Sequence, residues 1–396
     1  MSIFDLPLEI QDMILDLEPQ EALLALRATC STALSQINPR VFSTVQLNYD
    51  LIEALANNLC TFTSSVKKIC WKYDLDEAGT PQLFQYWSQL SHLPALKQLE
   101  IEVIGDQDEL SFTEFPPLRM FHDLESLSVT FPGDLLTAYS EREIAVAISR
   151  SSNLRNLQIL NLTDTPFFSD VKQCISLSAF LSSPVTALEK LQIHHVPFPR
   201  RGLRQVISSS LRELSVLTRN GGRGIKSNWG ALWSTLGVSG ARLSSLKVSG
   251  SEAAMDELFA YLTSYTGLRL LEISDIVMDG QEMEDCAGEK FWGEVVPHHY
   301  ATLATLSVTP KYGGSWCYGP AAAASLRKCF SLRYLTISLG EINPSWARDQ
   351  VHALQADGVT FSGAVELDEA PNSYVVGFDI WILRPFSLAL RTSVAH

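Results

Sequence analysis

A short motif, Leu-x-x-Leu-x-(Ile/Val), recurs along most of this chain and restricts its architecture more than any other feature. It stands at Leu96-Leu99-Ile101, Leu124-Leu127-Val129, Leu154-Leu157-Ile159, Leu188-Leu191-Ile193 and Leu211-Leu214-Val216. It continues at Leu243-Leu246-Val248, Leu268-Leu271-Ile273, Leu303-Leu306-Val308 and Leu332-Leu335-Ile337. From Leu96 to Leu332 the eight intervals span 236 residues, an average of 29.5. Val66-Ile69-Trp71 is a weaker earlier copy, and Phe42 to Leu47 reads as an initial strand. The closing Leu-x-(Ile/Val) alternates as a strand with one buried face does. Amphipathic helical stretches precede most copies, as in Leu203-Val206-Ile207, Trp229-Leu232-Trp233-Leu236 and Met255-Leu258-Phe259-Leu262. One strand and one helix cannot close a core, whereas stacked copies bury a continuous one.

This pattern resembles a leucine-rich-repeat horseshoe over residues 41–340, and the expected fold class is α/β, an irregular solenoid. The usual repeat has an asparagine eight residues after its first leucine. Here those positions hold Ile104, Pro132, Leu162, Val196, Arg219, Ser251, Ile276, Lys311 and Gly340, and interval lengths run from 23 to 35. After Ile337 the pattern fades. Pro344 to Gln355 is expected to form a helix, Val375 to Leu383 a strand, and residues 341–396 a cap on the end of the stack.

The first forty residues are different. Ile10, Met13, Ile14 and Leu17 recur at helical spacing behind Leu6-Pro7, and proline suits the first turn of a helix. Pro19 stops this helix, Glu21 and Ala22 restart a second with Leu23, Leu24 and Leu26, and a third is expected from Ser31 to Ile37, ended by Pro39. Three helices this short cannot bury so much apolar surface alone. They either cap the domain that follows or dock on a partner, and the two roles are compatible. The segment resembles an F-box: Leu6-Pro7-x-Glu9-Ile10, then Ile14-Leu15, then Leu23-Leu24-x-Leu26-Arg27 and Cys30. Ile37-Asn38-Pro39-x-Val41-Phe42 is similar to the continuation in many fungal F-box proteins. Many F-boxes carry a large aromatic three residues after the cysteine, and here that position is Ala33.

The resemblance implies an F-box domain at 1–40 ahead of the repeats, and a substrate receptor of a Skp–cullin–F-box ubiquitin ligase. Its partners would be a Skp-type adaptor, through it a cullin, and a target protein. By motif position the resemblance assigns Leu6, Pro7, Ile10, Leu24, Leu26 and Cys30 to the adaptor-binding bundle. The expected target surface is the strand face between buried positions, with Glu100, Gln158, Lys190, Gln192, His194, Lys247, Glu272 and Tyr334 as its contacts. Tyr334 is the strongest single anchor, since tyrosine buries a large area and keeps a hydroxyl to bond. The segments Arg219 to Asn228 and Asp275 to Glu289 are read as loops that also contact ligand. A repeat scaffold with no ligase role is the alternative, and an enzyme hidden in the loops is a second.

Composition narrows the choice. The formal net charge is −14, which opposes nucleic acid and anionic membranes as partners. Seven scattered cysteines form no Cys-x-x-Cys and suggest reduced thiols in the cytoplasm or nucleus, and Cys30 reads as a buried structural thiol. No signal peptide or membrane-length apolar run is evident. Gly221-Gly222-Arg223-Gly224-Ile225-Lys226-Ser227 lacks phosphate-loop spacing, and Gly313-Gly314-Ser315-Trp316-Cys317 puts cysteine where a nucleophile elbow has glycine. The adjacent pairs His194-His195 and His298-His299 do not make a chelate. No catalytic residues, metal ligands or cofactors are expected.

Overall fold

The structure is a computed structural model, and it describes residues 6–56, 60, 62–74, 87, 90–104, 117–131, 138–161, 187–196, 207–217, 228–249, 254–275, 281–310, 314–339 and 376–381. The chain is mixed α/β and forms two compact units, Met1–Leu188 and Glu189–His396.

The first unit opens with three helices, α1 (Leu8–Leu17), α2 (Gln20–Arg27) and α3 (Ser31–Val41). Leu15, Leu23, Ala33 and Ile37 form their core, with Leu26 and Val41 packed against it. The third helix runs two residues beyond Pro39 instead of ending before it. Proline in a last turn forfeits one backbone donor, yet the following Phe42 N–H still reaches the Asn38 carbonyl at 2.9 Å, so the turn closes without it. Side chains tie the bundle together. Arg40 bonds both Asp12 and Asp16 of α1, and Arg27 Nε donates to Asn38 Oδ1 at 2.6 Å.

A parallel ladder follows: β1 (Thr44–Leu47), β2 (Lys68–Asp74), β3 (Gln98–Ile104), β4 (Ser126–Phe131) and β5 (Asn156–Asn161), each beside its sequence neighbour. Helix α4 (Tyr49–Ala56), capped by Asn48 Oδ1 on the Leu51 N–H at 2.9 Å, and α5 (Ala138–Ser149) belong to the connections. The Phe42 ring stacks on Phe62 at 4.0 Å, joining the end of α3 to the turn before β2.

The second unit repeats the scheme with β6 (Lys190–His194), β7 (Glu213–Leu217), β8 (Ser245–Ser249), β9 (Leu270–Ser274), β10 (Thr305–Thr309) and β11 (Tyr334–Leu339), all parallel. The final strand β12 (Val376–Trp381) pairs antiparallel with β11, setting Trp381 opposite Tyr334. Neither ladder closes on itself. Every motif copy supplies one strand, and the first leucine of each copy is buried just before it, from Leu96 to Leu332.

Helices α6 (Trp229–Ser239), α7 (Met255–Thr263), α8 (Gln281–Lys290) and α9 (Pro320–Leu326) lie between strands of this unit. Asn228 caps α6 through its Oδ1 on the Ala231 N–H, and Gly240 ends it in the left-handed conformation at φ 67°. The expected loop from Asp275 to Glu289 is a helix over its second part. Its sequence, QEMEDCAGEK, has so few apolar residues that no periodic stripe marks it. The α8 helix runs into a π-helical turn, Phe291–Val295, that buries Phe291, Trp292 and Val295. Gly288 sits where a Cβ would meet the Ser315 and Trp316 backbone at 2.8 Å, so α8 is pressed against that segment with no room for a side chain. The expected helix at Pro344–Gln355, the glycine-rich stretch 221–227, and Leu203 and Val206 lie outside the described residues.

Candidate partner-binding surfaces

The N-terminal bundle spends only part of its apolar surface on its own core. On α1, Ile10, Met13 and Leu17 stand three and four residues apart, one stripe of a helix, and are 43%, 63% and 84% exposed. Leu24 of α2 is also exposed. Leu15, which falls on the opposite side of the helix from that stripe, is buried. The α1 helix therefore has two apolar faces, one spent on Leu23, Ala33 and Ile37 and one on nothing among the described residues. Pro7 begins the helix, with its carbonyl accepting from the Ile10 and Gln11 N–H groups at 3.0 Å each. Gln11 is buried and its Nε2 donates to the Leu6 carbonyl at 2.6 Å, which fixes Leu6 against the first turn.

The six residues assigned to this surface divide. Pro7, Ile10 and Leu24 are exposed, and Leu6 is half-buried. Leu26 packs against the bundle core. Cys30 is exposed rather than buried, because it is the N-cap of α3, where its thiol accepts from the Ala33 N–H at 3.4 Å. A capping side chain must lie outside the helical periodicity, which is why an apolar pattern misplaces it. Ala33 is wholly buried among Leu15, Leu23 and Ile37, so that position is part of the core and not of a contact surface. Met13 and Leu17 are the residues sequence reasoning missed. Their spacing from Ile10 was the available signal, but spacing alone does not say which of two apolar faces is covered.

The strand faces form continuous rows. In the first unit Glu100, Ser128 and Gln158 stand opposite one another on β3, β4 and β5, with Ser128 Oγ donating to Gln158 Oε1 at 3.4 Å. In the second unit one row runs Gln192, Ser215, Lys247, Glu272, Ser307 and Thr336. The next runs Lys190, Glu213, Ser245, Leu270, Thr305 and Tyr334. All eight expected target contacts lie on these faces.

Most of their charge is already matched across strands. Lys68 meets Glu100 at 2.6 Å, Lys72 meets Glu102 at 3.1 Å, Lys190 meets Glu213 at 3.5 Å and Lys247 meets Glu272 at 2.7 Å. The hydrogen bond from Lys68 holds the Glu100 carboxyl below its usual range. Such partly exposed pairs add little stability, roughly 0–1 kcal/mol each, but they leave the face nearly neutral. His194 bonds Ser215 Oγ through Nε2 at 2.9 Å, and its burial, with His195 and Lys247 nearby, pushes its pKa down to about 4. It is therefore a neutral polar group at physiological pH. What the rows expose as large apolar surface is at their far end, where Tyr334 is 47% exposed. Aligning the motif copies would have revealed the Lys–Glu pairs, because directly opposite residues occupy the same motif position.

His299 behaves as His194 does but inside the fold. It is 1% exposed and its ring lies 5.5 Å from Tyr265. Burial, and then the neighbouring His298, lowers its pKa to about 4. An unfolded histidine titrates near 6.5. Between those values the unfolded chain binds the extra proton, so stability is fully present above pH 6.5 and is lost as pH falls toward 4. The loss is on the order of 3 kcal/mol for this group. Urea unfolding at about pH 7.5 and about pH 4.5 should show an acid loss in the unmodified chain that shrinks by about this amount in His299→Phe, His194 keeping its own share in both. An equal acid loss in both would contradict the assignment.

A cavity of about 520 Å³ is lined by Asp285, Glu289, Ser315, Cys317, Tyr318 and the start of α9. The Ser315 N–H donates to Asp285 Oδ1 at 2.9 Å. Burial pushes the Cys317 thiol up to about 11, so it stays protonated at neutral pH and is a poor nucleophile. Among the described residues no three His, Cys, Asp or Glu side chains are placed to hold a metal. No helix among them is long and apolar enough to cross a membrane. The described cysteines form no disulfide with one another. Comparison with known proteins adds no relative: no family model matches the chain, and no curated protein matches it.

Proposed function

We propose that this chain is the substrate-recognition subunit of a Skp–cullin–F-box ubiquitin ligase. The N-terminal bundle is its F-box, the strand ladders are irregular leucine-rich repeats, and a target protein is held by the repeats. The observation that carries the reading is the uncovered stripe of Ile10, Met13 and Leu17 on a bundle that already owns a separate core. A capping bundle would turn its larger apolar residues inward. A stripe more than 40% exposed at each position is what a docking helix offers an apolar groove. Pro7, Ile10 and Leu24, three of the motif residues of the F-box resemblance, are exposed on this same bundle, with Leu6 half-buried beside them.

In this role the chain performs no covalent step. Its contribution is proximity: holding a target beside a ubiquitin-loaded enzyme replaces a bimolecular encounter by an effectively intramolecular one. The setting is the cytoplasm or nucleus, where the adaptor and cullin work.

Co-expression of the full chain with a Skp-type adaptor and a cullin tests the reading. The cullin should be retained on the chain only when the adaptor is present. Retention of neither partner would leave the strand ladders as a scaffold with no ligase role.

A further inference from the structure

The turns that lead into β7 to β11 of the second unit carry a charge opposite to that of the chain, whereas the turn into β6 ends in the exposed Glu189. The former comprise residues 207–212, 239–244, 263–269, 298–304 and 327–333. Together they hold Arg212, Arg242, Arg269, Arg327, Lys328 and Arg333, six cations, and no Asp or Glu, in a chain of net charge −14. The ladder gives them order. The Ser244 N–H donates to the Arg212 carbonyl at 2.7 Å, and Arg269, Ala304 and Arg333 each donate to the residue before them in the row at 2.8 Å. The Arg212 N–H donates in the same way to the Glu189 carbonyl at 2.8 Å, so the edge reads Glu189, Arg212, Ser244, Arg269, Ala304, Arg333, and is cationic from Arg212 onward. An arginine alternates with a small residue, and all three arginines are exposed. Neighbouring strands lie about 4.8 Å apart, so successive arginines are spaced roughly 10 Å.

Two further facts point to a ligand. Arg242, Arg269, Lys328 and Arg333 are exposed and form no ion pair among the described residues, unlike the lysines of the strand faces. Beside them two large aromatic residues are left out of the core. Tyr300 and Phe330 are 46% and 61% exposed and meet edge to face at 5.6 Å. They sit in the turns before β10 and β11, which Ser331 Oγ ties together by donating to the Ala301 carbonyl at 2.7 Å. An apolar pair on an edge that also carries exposed cations suits a partner that is anionic and carries apolar side chains.

We infer that this edge binds an extended, carboxylate-rich peptide segment of a partner protein. An extended chain of the polyproline II type has three residues per turn and advances about 3.1 Å per residue, so acidic side chains at every third position share one face and match the arginine spacing of roughly 10 Å. Arginine forks pair with carboxylates bidentately, and an intervening aromatic or aliphatic side chain reaches Tyr300 and Phe330. The inference stands whether or not the bundle recruits a ligase.

The test uses the full chain and a short fluorescein-labelled peptide with Glu at every third position and Phe between, read by fluorescence polarisation. The Glu peptide should bind, weaken as salt rises, and lose at least about tenfold in affinity when Gln replaces Glu. Arg269→Glu with Arg333→Glu should lose at least about tenfold as well, and Arg269→Gln with Arg333→Gln a smaller factor. The neutral pair carries the test if charge reversal disturbs folding. Equal binding of the Gln peptide, or unchanged affinity in both variant pairs, would overturn the proposal. So would a phosphoserine peptide or a single-stranded oligonucleotide that binds far more tightly than the Glu peptide.

Discussion

Trp316→Ala should lower the stability of the second unit by about 3–5 kcal/mol and its thermal midpoint by roughly 10 °C. Trp316 is wholly buried, with Phe291 at 5.1 Å and Phe259 at 6.1 Å, and Phe291 in turn packs on Trp292 at 4.9 Å. These rings come from α7, the π-helical turn and the segment before α9, so one truncation opens a cavity where three parts of the unit meet. The backbone of Trp316 is pinned under Gly288, which limits how far the walls can collapse into the space. Trp316→Phe should cost less than half as much. It keeps most of the ring contact and removes an indole N–H that has no hydrogen-bond partner among the described residues. Differential scanning calorimetry separates the cases. Equal midpoints for the alanine variant and the unmodified chain would contradict the packing described.

The second large effect is on association, not on stability. Ile10→Asp combined with Met13→Asp should weaken adaptor binding at least about a hundredfold, because anchor residues at a protein interface each contribute about 2 kcal/mol or more. The thermal midpoint should stay within about a degree of the parent, since both side chains already face solvent. Leu15→Asp provides the contrast. It places a carboxylate among Leu23, Ala33 and Ile37 and should unfold the bundle outright. If the exposed pair unfolded the bundle as well, the stripe would be structural and the docking role would fall.

Much of this was legible in the sequence, for a definite reason. A parallel strand with one buried face writes its own period of two, and a repeat writes it many times over. In all nine copies and the weaker Val66-Ile69-Trp71 the closing two positions therefore fall on strands. The strand near Val375 was equally visible, though not its antiparallel pairing to β11. Where local signals compete, the sequence was less clear. Pro39 reads as a stop, but a proline near a helix end costs one donor and the bundle core retains Val41. The α8 helix has too few apolar residues for a period, and only its packing through Gly288 and Phe291 shows why it forms. Cys30 caps a helix that it seemed to continue. Side chains pair between strands at equal motif positions, so the matching of Lys247 with Glu272 and of Lys190 with Glu213 is legible once the copies are aligned in register. The same register turned scattered arginines into a row.

The strand faces bear on how a target would be held. With their charges matched in pairs and His194 neutral, they offer mainly hydrogen-bonding groups and the ring of Tyr334. Among the described residues of the second unit, exposed cations without an ion pair lie instead along the turns before the strands. Target recognition by the face and by that edge would differ sharply in salt dependence, weak for the first and strong for the second.

Titration of a purified Skp-type adaptor onto the full-length chain, followed by calorimetry, tests the central claim most directly. A saturable complex with one adaptor per chain, erased by Ile10→Asp with Met13→Asp and untouched by Arg269→Glu with Arg333→Glu, is the expected result. No heat of binding from a folded chain, or a complex that survives the α1 substitutions intact, would contradict it.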